Sequence, residues 1–259
     1  MLILIAESKT MGACDGLVSQ VEYETHRPML EDDVDRLMAS LRDMSADELS
    51  RAVKISPAMG RRLLQMIYEF PDKRTGGRAI ESFTGVVFKA FDYRSLDADI
   101  QRRACVCVRI VSSLYGWLRP DDVVKPYRFD FTTALAPDGK TFAAYWKDSV
   151  TDCLLRELSA GGHTDVLNLL PGDAARCIDW TRVSQVAGVW RAEFREVRSG
   201  GGERTPNAGK LKRLRGQLLR QMMCEDVTRP EELMSLSGKD YMGSGVSDED
   251  GNIVFHCVE

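Results

Sequence analysis

The alternation of short apolar runs with segments of helical periodicity is the feature that most limits how this chain can fold. The apolar run at 2–6 predicts a buried strand, and apolar residues from Leu30 to Leu41 recur at helical spacing behind it. Further helices are predicted over 45–53, 57–70, 97–110, 146–158 and 207–224, and strands over 86–88, 112–120, 166–169, 186–194 and 253–255. This order predicts an α/β fold of one compact domain over residues 1–259, with a mixed β-sheet flanked by helices.

Two short helices in the first third of the chain carry N-terminal signals. Ser45 and Glu48 have capping-box spacing, and Ser56 followed by proline is typical of a helix start. The pair, over about 45–70, resembles a helix-hairpin-helix, whose second helix directs backbone N–H groups and its positive dipole end toward a DNA phosphate. Glycine is usual in such hairpins and Lys54 stands at that position, so an ordinary helical pair is the alternative.

The charge distribution limits how the chain could bind a polyanion. Its formal net charge is −4, so any such contact must be local, and two stretches without acids, 51–62 and 205–220, supply basic residues. In the second stretch, helical spacing predicts a polar face opposite a leucine stripe, formed by Lys210, Arg213, Gln217 and Arg220. Lys212 and Arg215 lie nearer the stripe and are expected to border a cleft or a packing seam. A merely solvated face is the alternative.

A third candidate surface is the stretch at 114–128, which combines aromatic, arginine and proline residues. The ring of Tyr127 and the guanidinium groups of Arg119 and Arg128 can stack on bases or sugars. The prolines also suit a rigid structural corner, which is the alternative interpretation.

Composition excludes several other classes of protein. No apolar run approaches the roughly 20 residues of a membrane-spanning helix, and we expect no secretory signal, so the sequence predicts a cytoplasmic protein without a membrane partner. We also expect a monomer. Seven scattered cysteines, including Cys14, predict reduced thiols rather than a disulfide framework. With three histidines and no CxxC motif, the sequence predicts no metal site and no cofactor.

Several motifs together resemble one family. Residues 114–120 read Leu-Tyr-Gly-Trp-Leu-Arg-Pro, and Pro-Tyr-Arg follows at 126–128. This pattern resembles, with the same spacing, the L-Y-G-L-L-R-P and P-Y-R signature of the YaaA family of bacterial peroxide-stress proteins. Four further segments are similar to that family's L-I-L-I-S-P-A-K-T, F-x-G, K-K-A-R-G and K-P-E-Q-L, at 2–10, 83–85, 212–216 and 229–233. The resemblance therefore extends from the first residue to the C-terminal strand.

The resemblance implies a mixed α/β fold with an embedded helix-hairpin-helix, a positively charged cleft, DNA binding, and a role in limiting free iron and oxidative DNA damage under peroxide. This chain departs from the family pattern at three places. The family's S-P-A-K, G-D-V-Y and N-L-A-S-x-E-Y read Ala-Glu-Ser-Lys at 6–9, Gly-Val-Val-Phe at 85–88 and Asn-Leu-Leu-Pro-Gly-Asp-Ala at 168–174. These departures imply that the chemistry of the family's pocket is altered in this chain. The basic residues of the family pattern are retained more fully than the pocket residues.

We predict a DNA-binding protein of the peroxide stress response that contacts the phosphate backbone without reading sequence. The residues expected to contact DNA are Lys9, Thr10, Lys54, Ser56, Arg61, Arg62, Arg119, Tyr127, Arg128, Lys212, Arg213, Arg215 and Arg220. No catalytic residue is predicted, because neither a nucleophile elbow nor paired carboxylates are evident.

Two alternatives stay open. An enzyme acting on DNA or a nucleotide would use a pocket around Lys9, Arg119, Tyr127 and Arg128. A thiol-based redox sensor would instead use Cys105 or Cys107.

Overall fold

A computed structural model describes residues 1–12, 26–71, 76–197, 201–247 and 251–258. Within these ranges the strands are β1 (Leu2–Ala6), β2 (Gly77–Arg78), β3 (Val108–Ser112), β4 (Gly116–Leu118), β5 (Val123–Val124), β6 (Asp165–Asn168), β7 (Gly188–Val197), β8 (Glu203–Arg204), β9 (Met242–Ser247) and β10 (Asn252–Val258). The α-helices are α1 (Glu31–Ser40), α2 (Ala46–Val53), α3 (Pro57–Glu69), α4 (Ala79–Ser82), α5 (Val86–Phe91), α6 (Ala98–Cys107), α7 (Phe142–Gly161), α8 (Gly172–Ala175), α9 (Trp180–Val183), α10 (Ala208–Cys224) and α11 (Pro230–Leu233).

One mixed sheet joins strands from both ends of the chain. Its eight described strands run in the order β4-β3-β1-β6-β7-β10-β9, with β8 paired to β7. The interior strands β3, β1, β6, β7 and β10 are parallel, whereas β4 and β9 run antiparallel to their neighbours. Strands β2 and β5 form a separate two-stranded sheet. The predicted α/β fold with a mixed sheet flanked by helices is therefore confirmed.

The centre of the sheet is also the centre of the core. All residues of β1 are buried, which requires covering layers on both faces of the sheet. In the register, Ile5 lies beside Ile110 of β3, and Ile3 lies beside Leu167 of β6. None of the helices in the described ranges is both long and apolar enough to span a membrane.

The helical pair α2 and α3 begins as its capping signals predict. Ser45 Oγ accepts a hydrogen bond from the Glu48 N–H at 3.3 Å, and Glu48 accepts one from the Ser45 N–H at 2.8 Å. Ser56 Oγ caps α3 by accepting the Met59 N–H at 3.3 Å. These bonds satisfy N–H groups that would otherwise have no partner at the helix start, so the predicted caps are confirmed.

The turn between α2 and α3 is tight although it contains no glycine. Lys54 ends α2 in the left-handed conformation with φ 57°. The two helices cross closely at Gly60, where a Cβ atom would lie 2.5 Å from the Ala46 carbonyl oxygen. A lysine therefore occupies the conformation that glycine adopts at lower cost.

The predicted strand at 86–88 is wrong, because these residues begin helix α5. A run of two valines and a phenylalanine has strand propensity, but the buried residues Phe88 and Phe91 lie three positions apart, one helical turn. Both side chains face the interior, whereas Val86 is 43% exposed. Packing against distant elements has overridden local propensity here.

The helix predicted over 97–110 ends early, at Cys107, and β3 begins at Val108. Every residue of β3 is buried, including Arg109. Its guanidinium donates to the Glu157 carboxylate at 2.5 Å, which compensates for placing a charged residue in an interior strand. Strand β9 was not predicted, and α7 extends beyond the predicted 146–158 at both ends.

Helices α5 and α10 approach each other at Gly216. A Cβ atom at this position would lie 2.3 Å from the Val87 carbonyl oxygen and 2.7 Å from the Ala90 Cβ atom. The Val87 carbonyl belongs to the backbone of α5, which cannot move aside as the end of a flexible side chain can. The position of α10 beside α5 therefore depends on the absence of a side chain at residue 216.

We expect Gly216→Ala to lower the free energy of unfolding by about 1–3 kcal/mol, because the added methyl group must push the two helices apart. Gly172→Ala is the matched control, since a Cβ atom there meets nothing within 4 Å. The control should be neutral or should stabilise by up to about 1 kcal/mol. Urea unfolding of both variants measures this, and equal effects would contradict the close contact.

Candidate functional site

Two adjoining cavities form a cleft across the molecule. The smaller cavity, called the pocket below, has a volume of 260 Å³ and is lined by Glu7, Val86, Phe131, Asp173, Lys212 and Arg215 among others. The larger one, called the groove, has a volume of 820 Å³ and is lined by Arg62, Met66, Glu69, Lys125, Tyr127 and Arg128 among others. Lys9 and Thr10 line both, so the pocket opens beside the groove.

The sheet determines where the pocket lies. Glu7 follows β1, Ser113 follows β3, and Pro171 comes shortly after β6. Because these three neighbouring strands are parallel, their carboxyl ends meet at one edge of the sheet. Ligand sites in open α/β sheets lie at this edge, in the crevice outside the strand ends.

Glu7 is held by a network of hydrogen bonds at that edge. Its carboxylate accepts bonds from the Ser113 N–H at 2.9 Å, from the Ser113 hydroxyl at 2.5 Å and from the Tyr127 hydroxyl. The Tyr127 oxygen is itself 2.6 Å from Ser112 Oγ. Tyr127 thus borders the groove while its hydroxyl group orients the carboxylate of the pocket. The residue is only 5% exposed and its ring packs against Tyr115 and Phe129, so the prediction that this ring stacks on bases or sugars is wrong.

Burial changes the acid–base properties of this network. Desolvation raises the pKa of Glu7 from 4.5 to about 7, although the bonds from Ser113 and Tyr127 oppose that rise. Burial also raises the pKa of Tyr127, and the neighbouring Glu7 carboxylate adds to the effect. Glu7 therefore changes its protonation state near neutral pH, whereas Tyr127 stays protonated and continues to donate.

Helix α10 supplies the cations of the pocket. Lys212 is exposed at the mouth, and Arg215 lies further in. Burial lowers the pKa of Arg215, and Asp173 partly opposes this. The Nε atom of Arg215 is buried without a hydrogen-bond acceptor among the described residues. Such an unpaired donor is costly in a folded protein and is common at sites that bind a ligand.

The basic residues of the groove differ in how strongly the fold engages them. The Lys125 ammonium donates to the carbonyl oxygens of Glu69 and Phe70 at the end of α3, at 2.7 and 3.2 Å. Arg128 donates to the Lys9 carbonyl at 3.0 Å, and Lys9 pairs with Asp130 at 3.1 Å. These three cations therefore also stabilise the wall of the groove.

The structure brings together seven of the predicted contact residues along the pocket and groove, namely Lys9, Thr10, Arg62, Tyr127, Arg128, Lys212 and Arg215. Neither cavity is lined by the other six, Lys54, Ser56, Arg61, Arg119, Arg213 and Arg220. Arg119 instead lines a third cavity of 440 Å³ beside His26 and Asp121. The expectation that Lys212 and Arg215 border a cleft agrees with this geometry.

The predicted polar face of α10 is not a free basic surface. Lys210 is largely buried and pairs with Glu196 at 2.6 Å, and Arg213 lies 3.8 Å from Asp240. Arg220 donates to the carbonyl oxygens of Phe91 and Asp92 at 2.9 and 3.0 Å. Acids and carbonyl groups from distant segments therefore engage these residues, although Arg213 stays exposed.

Several cleft residues were not predicted, above all Glu7, Asp130 and Asp173. A signal for Glu7 was present, because an acid directly after a buried strand lies at the carboxyl edge where sites form. No local pattern marks Asp130, whereas Asp173 lies in the segment 168–174, where the family resemblance implies pocket positions. Their place in the pocket depends on how the loops fold back over the sheet.

Cys105 and Cys107 line neither the pocket nor the groove. Burial raises the pKa of both Cys105 and Cys107, which disfavours the reactive thiolate. Cys14 falls outside the described residues. In the ranges that the structure describes, no three histidine, cysteine, aspartate or glutamate side chains come close enough together to hold a metal ion.

Comparison with known proteins gives a consistent match over most of the chain. The family model for peroxide stress protein YaaA matches residues 1–244. A UPF0246 protein of Parabacteroides distasonis is 27% identical over 258 residues, covering 98% of this chain and 99% of that protein. A UPF0246 protein of Cereibacter sphaeroides is 28% identical over 243 residues, 93% of each chain. Another, from Alteromonas mediterranea, is 32% identical over 182 residues, 69% of each chain.

We expect Glu7→Gln to raise the melting temperature more at pH 8 than at pH 5. The folded-state pKa of Glu7, about 7, lies above its ordinary value of 4.5, so the folded protein retains a proton that the unfolded chain releases. Stability is therefore lost as the pH rises from about 4.5 to 7, by about 3 kcal/mol in total, and glutamine avoids this loss. Glu69→Gln, at an exposed position, is the control, and equal gains at both pH values would contradict the interpretation.

Proposed function

The chain belongs to the family of the peroxide stress protein YaaA, and we propose that it acts in that response by binding DNA along the groove. The observation that carries the proposal is the convergence of Lys9, Arg62, Arg128 and Lys212 on one continuous cleft. These residues come from four separate parts of the sequence, so the fold has collected cations that local sequence keeps apart.

The charges along the cleft support a phosphate ligand. No ion pair joins Arg62 or Lys212 to an acid among the described residues, so both are available to a partner. Acids also line the cleft, and Asp130 neutralises Lys9 in part. Cations spaced along a groove suit a repeating phosphate backbone, and such contacts position nucleic acid without reading its sequence.

The helical pair α2 and α3 extends the proposed surface. Arg62 on α3 lines the groove, and Lys54 and Ser56 lie in the turn that leads into this helix. We propose that the pair acts as a helix-hairpin-helix, whose turn contacts a second phosphate near the one at Arg62. Bound protein would then limit iron-dependent damage by covering the DNA, a role supported by the membership of the peroxide-stress family.

Neighbouring residues on α3 and on α10 provide a matched test of the cleft. We expect Arg62→Gln and Lys212→Gln each to flatten the slope of log affinity against log salt by about 0.9, the effect of one lost phosphate contact. Arg61→Gln and Arg213→Gln are the controls, because these adjacent exposed residues do not line either cavity. Salt-titrated binding of short duplexes, with circular dichroism to confirm folding, measures the slopes.

The controls decide between a specific groove and general attraction. Equal loss from Arg61→Gln and Arg62→Gln would mean that overall charge, and not the groove, holds DNA. Unchanged slopes in Arg62→Gln and Lys212→Gln would reject DNA binding in this cleft.

A cellular test separates this proposal from a thiol sensor. We expect the double variant Cys105→Ser, Cys107→Ser to keep peroxide protection, because burial disfavours both thiolates. The double variant Arg62→Gln, Lys212→Gln should lose it. Survival of a deletion strain carrying each variant, after a hydrogen peroxide challenge, gives the comparison, and the reverse pattern would favour the sensor.

A further inference from the structure

The pocket has features that phosphate binding in the groove does not require. It is a distinct cavity of 260 Å³, near the lower end of the roughly 300–1,000 Å³ typical of small-molecule sites. Its walls are mostly apolar and include Val86, Phe88 and Phe131. A polar sugar–phosphate backbone gains little from contact with apolar walls, whereas a flat aromatic ring packs well against them.

The buried end of the pocket carries an acceptor with spare capacity. Among the described residues, Glu7 Oε2 accepts two hydrogen bonds and Oε1 accepts one, from the Ser113 hydroxyl. A carboxylate oxygen has two lone pairs, so Oε1 can accept one more bond. The Ser113 N–H can only donate, so its hydrogen bond to Oε2 requires an acceptor there and fixes the orientation of the carboxylate. Every common nucleobase offers at least one N–H group that fits this role.

Helix α10 adds two cations to the lining of the pocket. Lys212 is exposed, and Arg215 has a buried Nε donor without an acceptor among the described residues. The lining of the pocket therefore combines a carboxylate, apolar walls and cations, and Asp173 interacts with Arg215. Glu7 and Lys212 are far apart in sequence, so this combination exists only in the folded protein.

We propose that the pocket takes a single nucleotide, with its base against the apolar walls and an N–H group on Glu7, and its phosphate at Lys212 and Arg215. The shared Lys9 and Thr10 connect the pocket to the groove, so an unpaired nucleotide of a bound DNA could enter it. This inference deepens the proposed DNA binding and rests on it for the source of the nucleotide. A free mononucleotide is the other source with the same chemistry.

The experiment compares two duplexes that differ at one position. One is fully paired, and the other carries a single nucleotide opposite an abasic site. We expect the wild type to bind the second duplex about tenfold more tightly or better, because most of the cost of unpairing and unstacking is already removed. Titrations with the four deoxynucleoside monophosphates, and with inorganic phosphate alone, test the pocket without the groove.

Two variants test the pocket by different means. Val86→Trp fills it from a position that is 43% exposed, and Val186→Trp is the control at a position that is 62% exposed and outside the pocket. The preference for the unpaired nucleotide should fall to about onefold in Val86→Trp and persist in the control. Glu7→Gln should weaken mononucleotide binding several-fold, because a neutral acceptor makes a weaker hydrogen bond than a carboxylate.

The outcomes distinguish the two proposals. Equal binding of both duplexes, together with no mononucleotide binding, would overturn the proposed nucleotide site and leave the proposed DNA binding in the groove unaffected. Mononucleotide binding that Val86→Trp abolishes, without duplex binding, would support the pocket and overturn the proposed function. Inorganic phosphate binding as tightly as the mononucleotides would show that the base is not recognised and would also overturn the inference.

Discussion

The parallel pairing of β1 with β3 and β6 is the interaction on which the cleft depends. It places the segments after these strands at one edge of the sheet, where Glu7 meets Ser113. A slip of β1 by one residue would reverse every side chain that follows this register and turn Glu7 away from Ser113. The carboxylate would then lose its donors. The geometry of the pocket is thus a consequence of strand pairing in the core.

A second constraint is the close contact of α10 with α5 at Gly216. This contact places Arg215, the residue before Gly216, in the lining of the pocket that also contains Glu7. Burial disfavours the charged form of both side chains, since it lowers the pKa of Arg215 and raises that of Glu7. The fold tolerates this cost at the edge of the sheet, beside a large apolar core. Groups that burial destabilises and a ligand could relieve are typical of binding sites.

The distribution of ion pairs explains how an acidic chain can present cations without acidic partners in the cleft. The formal net charge is −4, yet the fold directs acids to particular cations and away from others. Lys210 and Arg213 face Glu196 and Asp240, whereas no ion pair joins Lys212 to an acid in the described ranges. The position of each partner, more than the overall charge, therefore decides which cations could reach a polyanion.

The sequence alone determined the strand β1, the capped helices α2 and α3, and the long helix α10, because caps and periodicity act between residues a few positions apart. The family resemblance at 114–128 likewise depends on contiguous residues. The tertiary structure decided the helical state of α5, the early start of β3, and which cations of α10 face the cleft. It also supplied Glu7 with its hydrogen-bond donors, Ser113 and Tyr127. In each case the deciding partner lies far away in the chain, where local periodicity carries no information about it.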